Sequence, residues 1–133
     1  MIIDYHAHLK WDRETNSYDT EACLKDMEEN CIEKRMVSAL YGYSVREQNE
    51  AVERMVREHP DQIIGCAVIN PKERDCVEEM ERVASCGCFK AIELDSMEHC
   101  YYPETMPVLD EIIDIAVSHG MPVNVFTGWG CRT

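Results

Sequence analysis

The sequence predicts an α/β fold with parallel strands, and three observations carry that prediction. Apolar-rich strand candidates alternate with amphipathic helix candidates along the whole 133-residue chain. Each strand-plus-helix unit spans roughly 30 residues, the size of a βα repeat. The strand candidates are short, as in a parallel sheet covered by helices. Two architectures satisfy the pattern: an open doubly wound sheet, or part of a (β/α)8 barrel. Against a dinucleotide-binding version, no Gly-rich phosphate loop follows the first strand; Gly42 stands alone, and Gly128-Trp129-Gly130 comes after the last one.

The elements follow in order. Strands are read over Ile2–His8, Arg35–Tyr41, Ile63–Ile69, Phe89–Asp95 and Pro122–Thr127. A first helix runs from about Asp19 to Cys31, with Leu24, Met27 and Cys31 on one stripe. A second opens with Ser44 and Glu47 in capping-box spacing and carries Val45, Val52, Met55 and Val56 on its apolar face. A third has Asn70 as N-cap and Pro71 at its first position, with Cys76, Met80 and Val83 facing inward and an end near Gly87. A fourth starts near Thr105, carries Val108, Leu109, Ile112, Ile113 and Ala116, and stops at Gly120. No linker or low-complexity segment interrupts them, so residues 1–133 read as a single domain.

Composition narrows the function classes. Hydrophobic residues make up 45% and charged residues 29%, ordinary for a globular protein. The net charge of −13 argues against nucleic acid, because phosphate binding wants clustered Lys and Arg. It reads instead as a solvated acidic surface. No apolar run has the length of a membrane span, and Asp4 with the histidines interrupts the start too early for a signal peptide. The expectation is a cytoplasmic protein without a membrane partner. Of the eight cysteines, none forms a CxxC pair, and the nearest approach is Cys86-Gly87-Cys88. Most sit on apolar stripes as small hydrophobes. A cysteine-based redox or metal-binding module rests on their number alone.

The chemistry concentrates in Asp4-Tyr5-His6-Ala7-His8. Strand alternation aims Asp4, His6 and His8 at one face. Two imidazoles two residues apart can grip one divalent ion, Zn²⁺ first, with Mn²⁺ or Fe²⁺ as alternatives. Asp4 is then either the carboxylate that orients an imidazole from behind or a strand-end carboxylate held by backbone N–H groups. The blander reading has both histidines facing solvent.

In parallel α/β folds the site lies at the carboxyl ends of the strands. Those ends carry His6 and His8, Tyr41, Asn70, Glu93 with Asp95, and Phe126 followed by Trp129. Asp95 is read as a ligand or water-orienting base, with capping of the turn before Ser96 as the alternative. Glu93 reads as a further ligand or as a surface partner of Lys90. Tyr41, Asn70 and Trp129 are candidates for contact with a small-molecule substrate, Trp129 from a loop between two glycines. His99 and Cys100 lie just beyond the fourth strand, His99 reading as a loop residue rather than a base. Cys86 and Cys88 sit at the opposite, amino end.

Five passages in order resemble the amidohydrolase-related family, metal-dependent hydrolases and decarboxylases on a TIM-barrel scaffold. They are Ile2–His8; the run from Arg57 through Asn70-Pro71; Cys88–Asp95; Tyr102-Pro103; and Met121–Gly128. The resemblance implies a partial TIM (β/α)8 barrel of about four and a half βα units. It also implies a metal held by His6 and His8, and hydrolysis or decarboxylation of a small carbonyl or carboxylate substrate. Three departures stand out. Phe126 holds the place where family members commonly carry a metal-binding His before Thr-Gly. Glu93-Leu94-Asp95 stands where Lys-Leu-His is common. The chain also stops after its fifth strand, whereas a barrel needs about 250 residues. The absent strands usually supply a further His and the Asp that handles the nucleophilic water. The expectation is therefore a truncated chain or fragment. The rival to an enzyme is a non-catalytic half-barrel that forms a homo-oligomer or pairs with a complementing half.

Overall fold

The computed structural model describes residues 1–126. Its elements are β1 (Ile3–Leu9), a small hairpin of β2 (Trp11–Asp12) and β3 (Ser17–Tyr18), α1 (Thr20–Glu29), β4 (Lys34–Ala39), α2 (Val45–Glu58), β5 (Ile63–Val68), α3 (Cys76–Ser85), β6 (Phe89–Asp95), α4 (Val108–Ser118) and β7 (Val123–Phe126). The main sheet has the order β1-β4-β5-β6-β7, and each neighbouring pair is parallel. Strands added in sequence order, with no reversal, give the barrel alternative rather than the doubly wound one.

The sheet curls into a half-barrel. The outer strands of a flat five-stranded sheet would lie roughly 19 Å apart, beyond the reach of one Tyr and one Asn. Yet the Tyr5 hydroxyl on β1 donates to Asn124 Oδ1 on β7 at 3.1 Å. The convex face carries the core. Val37 and Ala39 of β4, Ile63 and Ala67 of β5, and Ile92 and Leu94 of β6 pack against Val52, Met55, Met80, Val83 and Ile112 of the helices. The concave face carries a small apolar cluster of Met36, Cys66 and Ala91, with Ile64 beside them. That side is left for polar chemistry.

The local sequence accounts for most element ends. Asp19 accepts from the Ala22 N–H and caps α1. Ser44 accepts from the Glu47 N–H and caps α2, and its own hydroxyl donates to the Glu47 carboxylate. Two expectations change. Helix α3 begins at Cys76, not Pro71, because Asn70 and Pro71 open a turn: Asn70 Oδ1 accepts from the Lys72 N–H and its carbonyl from the Glu73 N–H. Helix α4 begins at Val108, after a short 3-10 turn over Pro103–Thr105. Cys31 is likewise off the α1 stripe, exposed at φ +53° beyond the helix end. Cys66, Cys76 and Cys88 are buried as small hydrophobes, and the cysteines among the described residues are free. Among the described residues, no helix is long and apolar enough to cross a membrane.

Asn49 ties helix to sheet. Its amide donates to the Val68 carbonyl and the Glu79 carboxylate, and its oxygen accepts from the Val68 N–H. It is 1% exposed, so water cannot easily replace those bonds. Asn49→Ala strands the two buried Val68 backbone groups, while Glu79 keeps its bonds from Arg82, and a loss of about 3 kcal/mol is expected. Urea unfolding with unchanged m-value measures it, and a loss below about 1 kcal/mol would contradict this role.

Candidate metal centre

The centre forms where β1, β4 and β6 end on the concave face. His6 Nε2 and His8 Nε2 lie 2.8 Å apart, rings edge to face. His8 Nδ1 is 2.7 Å from Ser38 Oγ, and Ser38 donates to Glu93 Oε2 at 2.8 Å. Strand pairing sets the first link, since His8 stands opposite Ser38. Glu93 reaches Ser38 from two strands away, past β5, because the sheet is concave here.

The relay decides a tautomer. A carboxylate only accepts, so the Ser38 hydroxyl hydrogen points to Glu93. Ser38 Oγ then accepts from His8, whose proton sits on Nδ1 and whose Nε2 carries a bare lone pair. His6 Nε2–H donates to that lone pair. Burial holds the His8 pKa below the ordinary imidazole value, with Glu93 and Asp95 opposing and His6 assisting. His8 is thus the neutral ligand form. His6 becomes one by moving its proton to Nδ1.

The donor set fits a divalent cation. One ligand atom from each of His6, His8 and Glu93 lies within 4.8 Å of the others. Glu93 is 2% exposed, and its Oε1 has no hydrogen-bond partner among the described residues. A buried carboxylate oxygen without a donor is costly, and a cation between it and two imidazoles would satisfy it. Glu93 is therefore no surface partner of Lys90, which is exposed.

The other candidates separate. Asp4 does not share the face of the histidines. The β1–β4 register slips between Asp4 and Ala7, a bulge that turns Asp4 to the convex side. There it pairs with Arg35 at 2.8 Å and accepts from the His6 backbone N–H. The support for an imidazole expected of Asp4 comes from Ser38 instead. Asp95 Oδ1 accepts from the Met97 and Glu98 N–H groups, the turn-capping role, while the residue also lines the adjoining cleft. Tyr41 lines the cleft with its ring exposed and φ +65°. Asn70 is spent on its turn, outside the cleft lining. Trp129 lies outside the described residues.

The cleft beside His8 has a volume of about 810 Å³. Trp11, Tyr43 and Phe126 give it aromatic walls, and Arg13 supplies a cation. Phe126, at the expected His position, offers no donor to an ion. His99, read from the sequence as a loop residue on the rim, lines the cleft, and so does Glu98, which was not legible because a loop after a strand gives no periodic signal. Glu98 Oε1 accepts from the Tyr41 N–H, while Glu98 Oε2 and His99 Nδ1 are buried without partners among the described residues. Burial also lowers the His99 pKa, opposed by Asp95 and assisted by Lys72.

No protein-family model and no curated protein sequence matches this chain. Solved structures do. An amidohydrolase II protein matches with a TM-score of 0.79 at 15% identity, over 100% of this chain and 52% of its own. 5-Carboxyvanillate decarboxylase from Novosphingobium aromaticivorans, in complex with manganese and 4-hydroxy-3-methoxy-5-nitrobenzoic acid, matches at 0.71 and 15%, over 92% and 49%. 4-Oxalomesaconate hydratase from Rhodopseudomonas palustris matches at 0.71 and 20%, over 92% and 51%. These neighbours are amidohydrolase-superfamily members, the family the sequence resembles. At such identities the likeness establishes the fold, a partial TIM barrel. The chain spans about half the length of the structures it matches.

Burial is the main cause that pushes the Glu98 carboxyl above the usual range, with Asp95 and Glu93 assisting and the Tyr41 N–H opposing. A raised folded-state pKa means the folded chain holds this proton more tightly than the unfolded chain. That stability is present below the ordinary Glu value and is lost as pH rises through the folded-state value. Glu98→Gln removes the loss and keeps an acceptor for Tyr41. The urea midpoint of the variant should therefore gain on wild type as pH rises from the ordinary Glu value through the raised folded-state value. A constant difference would contradict the buried carboxyl.

Proposed function

We propose that this chain carries the metal-binding part of an amidohydrolase-type enzyme. It would act on a small carbonyl or carboxylate substrate by hydrolysis or decarboxylation. One observation carries the reading: a carboxylate oxygen of Glu93 lies within 4.8 Å of a ring nitrogen of each histidine, and its buried Oε1 has no hydrogen-bond partner among the described residues. His6, His8 and Glu93 would hold the ion. Two nitrogens and one oxygen suit Zn²⁺ first, and a neighbour's manganese keeps Mn²⁺ as the alternative. A divalent cation there supplies Lewis acidity to a carbonyl, a carboxylate or a water.

The chain's own residues do the rest. Ser38 keeps the His8 proton on Nδ1, leaving Nε2 free to ligate. Trp11 and Tyr43, themselves in edge-to-face contact, offer an apolar corner, and Arg13 an anchor for a carboxylate. Asp95, in the cleft wall, is the proposed base, and Tyr41 and Trp129 the proposed further substrate contacts. Asn70, turned into its own loop, is not among the proposed substrate contacts. We place the protein in the cytoplasm on the same reading.

A second reading has its own support. Ile3, Tyr5, Val125 and Phe126, on the two outermost strands, are each more than 40% exposed. Such edges favour pairing with further strands. The site would then work only when a second copy or a complementing half closes the barrel.

Metal content on a size-exclusion peak of defined mass tests both readings. About one transition metal per chain is expected, lost in His6→Ala/His8→Ala and in Glu93→Gln. Ser38→Ala should retain the metal with affinity lowered roughly 10- to 100-fold. Metal unchanged in the histidine variant would overturn the site. Metal found only in a dimer peak would favour the second reading.

A further inference from the structure

The amino end of β6 carries a second cluster, with no part in the centre above. Cys86 caps the C-terminus of α3, and its N–H donates to the Arg82 carbonyl. Gly87 follows at φ +79°, a left-handed conformation that suits glycine. The chain thereby doubles back and brings Cys88 beside Cys86. Glu53 of α2 approaches the same point. One ligand atom from each of Glu53, Cys86 and Cys88 lies within 4.8 Å of the others. Cys88 is buried, and Cys86 and Glu53 are half-buried. Position 65 keeps the approach close: a Cβ on Gly65 would stand 2.6 Å from the Cys88 carbonyl oxygen.

We propose that Cys86, Cys88 and Glu53 form a thiolate site for a soft divalent cation of the zinc and cadmium class. Tetrahedral zinc with two thiolates needs sulfurs about 3.8 Å apart, so small side-chain rotations suffice. The fourth position is left to water. Two residues bracketing one glycine chelate from a single turn, which lowers the entropy lost on closing the ring.

The arginines do not oppose this. Glu53 Oε1 accepts from Arg57 at 2.7 Å, and Oε2 from Arg82 at 2.8 Å. Each carboxylate oxygen has a second lone pair for a cation. Loading releases one proton from each thiol to solvent and admits one divalent ion. The net charge of the cluster is therefore unchanged, and the two guanidiniums face the same field before and after. They also hold Glu53 in place. The cluster lies at the start of β6 and Glu93 near its end. Cys88 stands five positions before Glu93 along extended chain, roughly 16 Å, so the two sites cannot share an ion.

Cadmium titration of the full chain tests the proposal through the ultraviolet sulfur-to-cadmium charge-transfer band. One tight equivalent with the band is expected in wild type and in Cys31→Ser/Cys100→Ser, which removes the two exposed thiols of the described residues. Affinity should fall at least 100-fold in Cys86→Ser/Cys88→Ser. Glu53→Gln should keep the band and bind roughly tenfold more weakly. Should the double cysteine variant fail to fold, alkylation of wild type decides: cadmium must protect Cys86 and Cys88 over the other cysteines, mapped by mass. A band that survives in Cys86→Ser/Cys88→Ser, no band in wild type, or protection spread over other cysteines would overturn the site. His6→Ala/His8→Ala should leave the band intact, so failure of the first centre does not touch this one.

Discussion

β1 runs parallel to β4, and between Asp4 and Ala7 it spends one residue more than its partner. That bulge divides the strand's side chains between two environments. Before it, Asp4 meets Arg35 on the convex side, where Arg35 also binds Asp26 of α1 and the Cys23 carbonyl. After it, His6 and His8 point into the concave side while Ala7 and Leu9 join the core. A guanidinium that is only 8% exposed must be paired on all sides, and two carboxylates and a carbonyl do this. The same ion pairs hold the register that aligns His8 with Ser38.

From that alignment the polar centre follows. His8, Ser38 and Glu93 come from three strands, and none is a hydrogen-bonded neighbour of all the others. Only curvature brings Glu93 within 2.8 Å of Ser38 Oγ. The proton order of the relay then leaves His8 Nε2 unprotonated, and Glu93 Oε1 has no hydrogen-bond partner among the described residues. The two faces of the sheet thus divide the labour. Aliphatic packing against helices supplies stability on the convex side, and a thinly filled concave side tolerates groups that an apolar core would exclude.

Much of the fold was legible. β6 occupies the span read from its apolar run, Phe89–Asp95, and the other strands differ by one or two residues at their ends. Helix α2 was marked by Ser44 and Glu47, a local device that needs no partner from elsewhere. The start of α3 was not legible, because Asn70-Pro71 opens a turn as readily as a helix. The β2–β3 hairpin is two residues per strand, too short for alternation to register. Glu98 and His99 come from an irregular loop whose burial depends on Tyr41 and the cleft wall.

By itself, the sequence determined the order of elements, the parallel sheet and the pair of histidines on the first strand. Each is written in local periodicity, which hydrophobic burial enforces whatever the neighbours are. Tertiary structure decided which carboxylate serves them. Asp4, Glu93 and Asp95 all stand near a strand end in the sequence, with nothing local to tell them apart. A bulge sent Asp4 to Arg35, and two N–H groups of the following turn engaged Asp95. Curvature carried Glu93 to Ser38. Bulge and curvature are properties of strands paired in a sheet, and no single strand's sequence contains them.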